Sequence, residues 1–224
     1  MSAFTSFHEP GFWLVAAILL GIVVAAAWFV VRTAWRMWMV IAYWLGIPYL
    51  ALLTGAVSPR LMGVQFLDWP ITFRLGVGLI IGLLVLVMVA RLVLQPSADD
   101  HSVGTAPPTI WLVALATVGL CGAEQLFWCF LRGALWELLL SVTVVALPAY
   151  WAVWLAALLA LPLTIAVHGG ASWRVLAVGA LVVTSVVFFY TRNFWLCWFV
   201  HAVLWMVLAR FARRGGRSDR IALA

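Results

Sequence analysis

Lysine is absent from this chain, and acidic residues are scarce. All thirteen basic residues are arginines, only seven residues are acidic, and charged residues make up 9% of the 224 positions. Soluble globular domains carry about 25% charged residues, so this composition argues against one. The net charge of +6 does not indicate a nucleic-acid-binding protein either, because the arginines stand mostly at the ends of apolar segments rather than along a groove.

Other common signals are also missing. The three cysteines form no CxxC pair, which favours their interpretation as small core residues. Residues 1–9 contain no arginine or lysine, so we expect no cleaved signal peptide and a first span that acts as its own insertion signal. The short alternating segments of a membrane barrel are absent, whereas apolar runs of about 20 residues recur.

These runs predict an all-α fold, a polytopic integral membrane helical bundle with about seven transmembrane helices. The predicted spans are 11–31, 37–57, 73–94, 110–131, 150–168, 173–191 and 194–211. Segment 133–147 is short and contains Glu137, which predicts an interfacial or re-entrant helix, or an eighth span if it crosses. Residues 1–104 then hold three spans and a hydrophilic loop, 105–212 form a second region, and 213–224 form a basic cytoplasmic tail.

The arginines also predict the orientation. With the N-terminus outside, nine arginines lie on the cytoplasmic side and four do not. Because basic residues accumulate in cytoplasmic loops, we expect an integral protein of the bacterial cytoplasmic membrane with its C-terminus in the cytoplasm. The fifteen tryptophans fit aromatic belts at the two membrane interfaces.

Glu124 lies deep inside an apolar run, and this makes it the leading candidate for function. A charged residue at the bilayer centre costs about 2.5–3.5 kcal/mol on insertion scales. Arg132 is eight residues away on the same helix, a rise of about 12 Å and too far for a direct pair. Glu124 therefore needs a partner on another helix, and His168 and His201 are the available imidazoles. Gln125 points to a different face and could bridge helices.

Several functions fit these groups. The glutamate could act as a general base for water. The histidines could instead be hydrogen-bonded structural residues, or the glutamate could relay protons in a small transporter. One glutamate and two histidines could also bind zinc, although no HExxH motif is present.

Three segments carry polar residues in a fixed order. Residues 124–133 read EQLFWCFLRG, 164–168 read TIAVH, and 201–205 read HAVLW. In order and spacing they resemble the EExxxR, FxxxH and HxxxN motifs of the CPBP family of intramembrane proteases, also called the CAAX protease and bacteriocin-processing family. Gly179 and the turn YTRNFW at 190–195 resemble the passage that leads to the last motif. The resemblance covers 105–212, as a CPBP-like core, and leaves the first three spans unmatched.

The resemblance implies a role for each polar residue. Glu124 matches the glutamate that activates water, His168 the histidine that works with it, and His201 the histidine that helps to polarise the scissile carbonyl. Arg132, one turn beyond the family's arginine position, is the candidate replacement cation. Four positions differ from the family pattern, which has Glu, Arg, Phe and Asn in place of Gln125, Cys129, Thr164 and Trp205.

We therefore expect a divergent intramembrane endopeptidase that hydrolyses membrane-associated peptides with a glutamate-activated water. The alternatives are a catalytically inactive family member that acts as a binding or assembly partner, and a small proton-coupled transporter. The expected partners are membrane lipid and a membrane-associated peptide or protein substrate. A glutamate base requires no cofactor, and zinc stays open. Glu124, His168 and His201 should converge on one cavity, which Trp205 should line and narrow.

Overall fold

A computed structural model describes residues 6–82 except 66, 68, 71, 75 and 80, together with 110–142 and 145–221. Side chains are described for the same residues except 110–112 and 209–221, where only the backbone is described. Six helices are bounded within these ranges: α1 Pro10–Val30, α2 Thr33–Leu53, α3 Ile110–Ser141, α4 Pro148–Val167, α5 Ala171–Thr191 and α6 Phe194–Ile221. No strand occurs in the described ranges, so the expected all-helical fold is confirmed there.

Proline and glycine set several of the helix boundaries. Pro10 and Pro148 stand in the first turn of α1 and α4, where the missing N–H of proline costs nothing. Gly170 precedes α5 with a φ of 84°, a conformation that residues with a β-carbon rarely adopt. The α5–α6 turn is only two residues long, and its first residue, Arg192, takes the left-handed conformation.

Helix α3 is the central element of the bundle. It packs against α1, α2, α4 and α6, while α5 packs between α4 and α6. The loop after α2 lies against the C-terminal part of α3, because the backbone N–H of Ser58 donates to the Glu137 carboxylate at 2.8 Å. The same loop meets the α5–α6 turn through a bond from Phe194 N–H to the Gly63 carbonyl at 2.9 Å. This end of the bundle is therefore tied together by one loop.

Within the described part of the chain, five helical segments are long and apolar enough to cross a membrane. They comprise α1, α2, Val113–Ser141 of α3, α4 and α5, whereas the apolar part of α6 that qualifies, Phe194–Leu208, is shorter. An integral membrane helical bundle is consistent with these lengths, since a 20-residue helix spans about 30 Å. The predicted third span, 73–94, and the boundary at 104 lie mostly outside the described residues.

The prediction of a separate helix at 133–147 is wrong. Helix α3 runs without a break from Ile110 to Ser141, through Leu131, where the fourth span was expected to end. Gly133 lets the loop approach, since a β-carbon there would lie 2.9 Å from Met62 Cγ. Glu137 does not stop the helix because its carboxylate accepts the Ser58 N–H.

Two other boundaries also differ from the prediction. Helix α2 covers Thr33–Leu53 rather than 37–57, and Thr54 caps it with a backbone bond to the Leu50 carbonyl. Helix α6 continues to Ile221, so most of the predicted tail at 213–224 extends the last helix rather than following it. The ends of α1, α4 and α5 lie within two residues of those predicted.

Candidate functional site

Helix α3 presents its polar residues on two adjacent stripes. Glu124 and Trp128 are one helical turn apart and face α6, where Trp128 meets His201. Gln125, Cys129 and Arg132 form the second stripe, at spacings of four and three residues. A single helix therefore carries both groups of buried polar side chains.

Glu124 meets His201 in the interior of the bundle. Its Oε2 lies 3.7 Å from His201 Nε2, and the two side chains are 3% and 0% exposed. Glu124 Oε1 has no hydrogen-bond partner among the described residues. A buried polar atom without a partner is costly, and such atoms often mark places where a protein binds water or substrate.

The His201 ring is fixed on two sides. It stacks on Trp128, with ring centroids 4.8 Å apart and planes 11° apart. Trp205, one turn later on α6, donates its indole N–H to His201 Nε2 at 2.8 Å. Because an indole N–H can only donate, Nε2 must be the acceptor and the ring proton must be on Nδ1. Nδ1 itself has no partner among the described residues, so its N–H is free to donate.

Trp205 connects His201 to the end of α4. Its ring stacks on His168 with a centroid distance of 5.2 Å and on Trp173 with one of 5.3 Å. His168 follows α4 directly, and its Nδ1 lies 2.8 Å from the Thr164 carbonyl. Burial lowers the pKa of the His168 imidazole, and the contact with Thr164 acts in the opposite direction.

The three candidate catalytic residues are therefore connected in a chain. Glu124 is close to His201, and His201 is hydrogen-bonded to Trp205, which stacks on His168. Within the described residues, no hydrogen bond or ion pair joins His168 to Glu124 or to His201 directly. Trp205 thus contacts both histidines, His168 through the face of its ring and His201 through its indole N–H.

The second stripe forms a cluster of its own. Arg132 is fully buried, donates to the Ser185 hydroxyl at 3.0 Å and lies 3.8 Å from Cys129 Sγ. Its guanidinium carbon lies 5.0 Å from the centroid of the Phe188 ring. Gln125 Nε2 reaches Cys129 Sγ at 3.5 Å. Arg132 thus faces α5, whereas Glu124 faces α6.

Metal binding requires several ligands in one place. A catalytic zinc site takes three protein ligands and a water. In the described part of the chain, no group of three histidine, cysteine, aspartate or glutamate side chains is placed to hold a metal ion. The described contacts of the His168 imidazole are with the Trp205 ring and the Thr164 carbonyl, and none is with Glu124 or His201.

Two residues in contact with the candidate site residues were not singled out by the sequence. Trp128 stacks on His201, and Ser185 binds Arg132. The position of Trp128, one turn after Glu124, is the only signal that could have indicated the first. Ser185 has no such signal, because one serine in an apolar helix more often bonds its own backbone.

The chain was compared with protein-family models, with curated proteins and with solved structures, and none of the three comparisons found a match.

Proposed function

We propose that this chain crosses the membrane seven times, with its C-terminus in the cytoplasm. Support comes from the arginine distribution and from the direction of the helices. The loop after α2 contacts Glu137, near the end of α3. Helices α2 and α3 are therefore parallel, and one more crossing between them, as predicted at 73–94, gives a total of seven.

We propose further that the chain is an intramembrane endopeptidase with Glu124 as its general base. The observation that carries this proposal is the position of the Glu124 carboxylate, 3.7 Å from His201 in the bundle interior, with Glu124 Oε1 unpartnered among the described residues. A carboxylate there can take a proton from a water molecule as the water oxygen attacks a peptide carbonyl carbon. Glu124 then passes that proton to the leaving amine nitrogen as the C–N bond breaks.

His201 supplies the second function in this proposal. Its Nδ1–H is buried and without a partner in the described part of the chain, so it can donate to the carbonyl oxygen as negative charge develops there. Trp205 holds the proton on Nδ1 by occupying Nε2. His168, stacked on Trp205, keeps the indole in place and acts as a positioning residue. Arg132 links α3 to α5 through Ser185, and Gln125 bonds Cys129 within α3.

The second candidate is a catalytically inactive relative that binds or assembles with other membrane proteins. One observation favours it: Glu124 and His201 are almost fully buried, with exposed fractions of 3% and 0%. A peptide bond must reach both groups to be hydrolysed, and helices α3 and α6 would have to separate to admit it. An inactive protein has no such requirement.

The Glu124→Gln variant separates the two candidates. Glutamine keeps the size of the side chain and removes the base. Cells expressing the wild type are compared with cells expressing this variant. The comparison identifies membrane polypeptides that accumulate in the variant strain and peptide termini, produced by cleavage in the wild-type strain, that the variant strain lacks. Glu137→Gln is the matched control, because this glutamate lies on the same helix, and glutamine keeps an acceptor for the Ser58 N–H.

An endopeptidase predicts polypeptides that accumulate with Glu124→Gln and not with Glu137→Gln. Identical membrane polypeptides in all three strains, with equal amounts of folded protein, would contradict the endopeptidase and favour the inactive relative.

A further inference from the structure

A groove of about 670 Å³ lies at the end of the bundle where α3 and α5 terminate. We call it the cationic groove. Its walls come from the loop after α2, from the last turns of α3 and from the α5–α6 turn. Its polar lining consists of Arg60, Gln65, Tyr190, Thr191 and Arg192. None of these residues belongs to the Glu124–His201 pair, so the groove is a separate feature of the molecule.

The charge of the cationic groove is positive. Arg60 and Arg192 both line it, and its described lining contains no carboxylate. Glu137 lies one residue beyond Trp136 of the lining, but its carboxylate accepts the Ser58 N–H. Two guanidinium groups without an acidic partner in the lining favour an anion.

Arg192 is presented in a fixed orientation. Its guanidinium carbon lies 4.6 Å from the centroid of the Trp136 ring. Stacking of this kind leaves the N–H groups at the edge of the guanidinium plane free to donate to a ligand. Trp136 is only 8% exposed, so the residues packed around it restrict the motion of its ring. The stacked Arg192 guanidinium thus offers the planar, bidentate donor arrangement that suits phosphate oxygens.

The backbone around Arg192 is also held in place. Arg192 has a φ of 48°, a strained value for a residue with a β-carbon. The conformation is fixed by Gly63, where a β-carbon would lie 2.5 Å from the Arg192 carbonyl oxygen, and by the bond from Phe194 N–H to the Gly63 carbonyl. Because the loop and the turn are fixed to each other, the backbone positions of Arg60 and Arg192 are set before any ligand binds.

One side of the cationic groove is apolar and open. Leu140 and Tyr190 are each 55% exposed, and Phe189 is 36% exposed. All three lie near the ends of helices long enough to cross a membrane. A ligand with a charged head and an apolar tail would match both sides. We propose that the cationic groove binds the phosphate group of an anionic phospholipid, with the acyl chains along the Leu140 side.

The test uses the purified full chain in detergent micelles and measures binding by titration calorimetry. The probes are dihexanoyl phosphatidylglycerol, dihexanoyl phosphatidylcholine, glycerol 3-phosphate and inorganic phosphate. The variants are Arg60→Gln and Arg192→Asn, since asparagine tolerates the left-handed backbone. Arg36→Gln is the matched control, because Arg36 also lies over a tryptophan, 5.6 Å from the Trp28 ring, on another part of the bundle.

We expect the phosphatidylglycerol probe to bind at least tenfold more tightly than the phosphatidylcholine probe. Each groove variant should weaken that binding about tenfold or more, and Arg36→Gln should change it less than twofold. Inorganic phosphate binding as tightly as the lipid, with the same loss in both variants, would support phosphate recognition and assign it to a free anion. Equal binding of the two lipids, or unchanged lipid binding in both groove variants, would overturn the proposal.

Discussion

The hydrogen bond from Trp205 to His201 can be tested by the Trp205→Phe substitution. Phenylalanine keeps an aromatic ring against His168 and Trp173, and it removes the indole N–H that His201 Nε2 accepts at 2.8 Å. His201 is 0% exposed, and its Nδ1 is already without a partner among the described residues. The substitution would leave both ring nitrogens without a protein partner.

The expected cost follows from the burial of His201. Leaving a buried polar atom unsatisfied costs about 1–3 kcal/mol. If the missing hydrogen bond causes the decrease in unfolding free energy, Trp205→Phe should cause no such decrease in a His201→Phe background, where no acceptor is left. The coupling free energy of the double-mutant cycle should therefore be about 1–3 kcal/mol.

The assay is unfolding of the detergent-solubilised chain with increasing sodium dodecyl sulfate, followed by far-ultraviolet circular dichroism. Trp195→Phe is the control, because Trp195 is 44% exposed and its N–H reaches the Val64 carbonyl only at 3.4 Å. We expect it to change the unfolding free energy by less than about 0.5 kcal/mol. If Trp205→Phe lowered the unfolding free energy equally in the wild-type and His201→Phe backgrounds, the assignment of the hydrogen bond would be refuted.

Two further predictions concern the loop after α2. Gly63→Ala should destabilise the fold more than Gly55→Ala in thermal unfolding. Both glycines have positive φ, so a β-carbon costs about 1–2 kcal/mol at either position, but only the Gly63 substitution places that carbon 2.5 Å from the Arg192 carbonyl oxygen. Equal decreases in unfolding free energy for the two variants would contradict the close approach. Glu137→Leu should lower the unfolding free energy by about 1.5–3 kcal/mol, because it removes the charge-assisted hydrogen bond to the Ser58 N–H. Glu137→Gln should lower it less, because glutamine keeps an acceptor. Equal unfolding free energies for the two variants would argue against that bond.

Long apolar runs made most of the helices predictable. In lipid every backbone polar group must be satisfied within the segment, so a run of about 20 apolar residues has few alternatives to a helix. The continuity of α3 was not predictable in this way. Gly133 and Glu137 resemble helix-ending residues, and the partners that accommodate them, Met62 and Ser58, are more than 70 positions away in the sequence.

The candidate site was accessible to sequence reasoning only in part. The need of a buried Glu124 for a partner on another helix pointed to the histidines, and the structure places His201 Nε2 3.7 Å from Glu124 Oε2. Because Nε2 accepts the Trp205 N–H, it donates no hydrogen bond to the carboxylate. Trp205 was singled out because it follows His201 by one helical turn, but its hydrogen bond to His201 was not predicted. Trp128 was not singled out, because the chain has fifteen tryptophans and the sequence does not show which of them packs on His201. His168 is connected to His201 through Trp205, which contacts both imidazoles.

The most direct test of the proposed function is a double-mutant cycle on cleavage rate. The substrate is the first polypeptide that accumulates with Glu124→Gln, reconstituted with the purified chain in lipid vesicles. If Glu124 and His201 act as one unit, Glu124→Gln and His201→Gln should each lower the initial rate at least 100-fold, and the double variant should fall little further. Glu137→Gln should stay within twofold of the wild type. Cleavage by Glu124→Gln at a rate within twofold of the wild type would contradict the account.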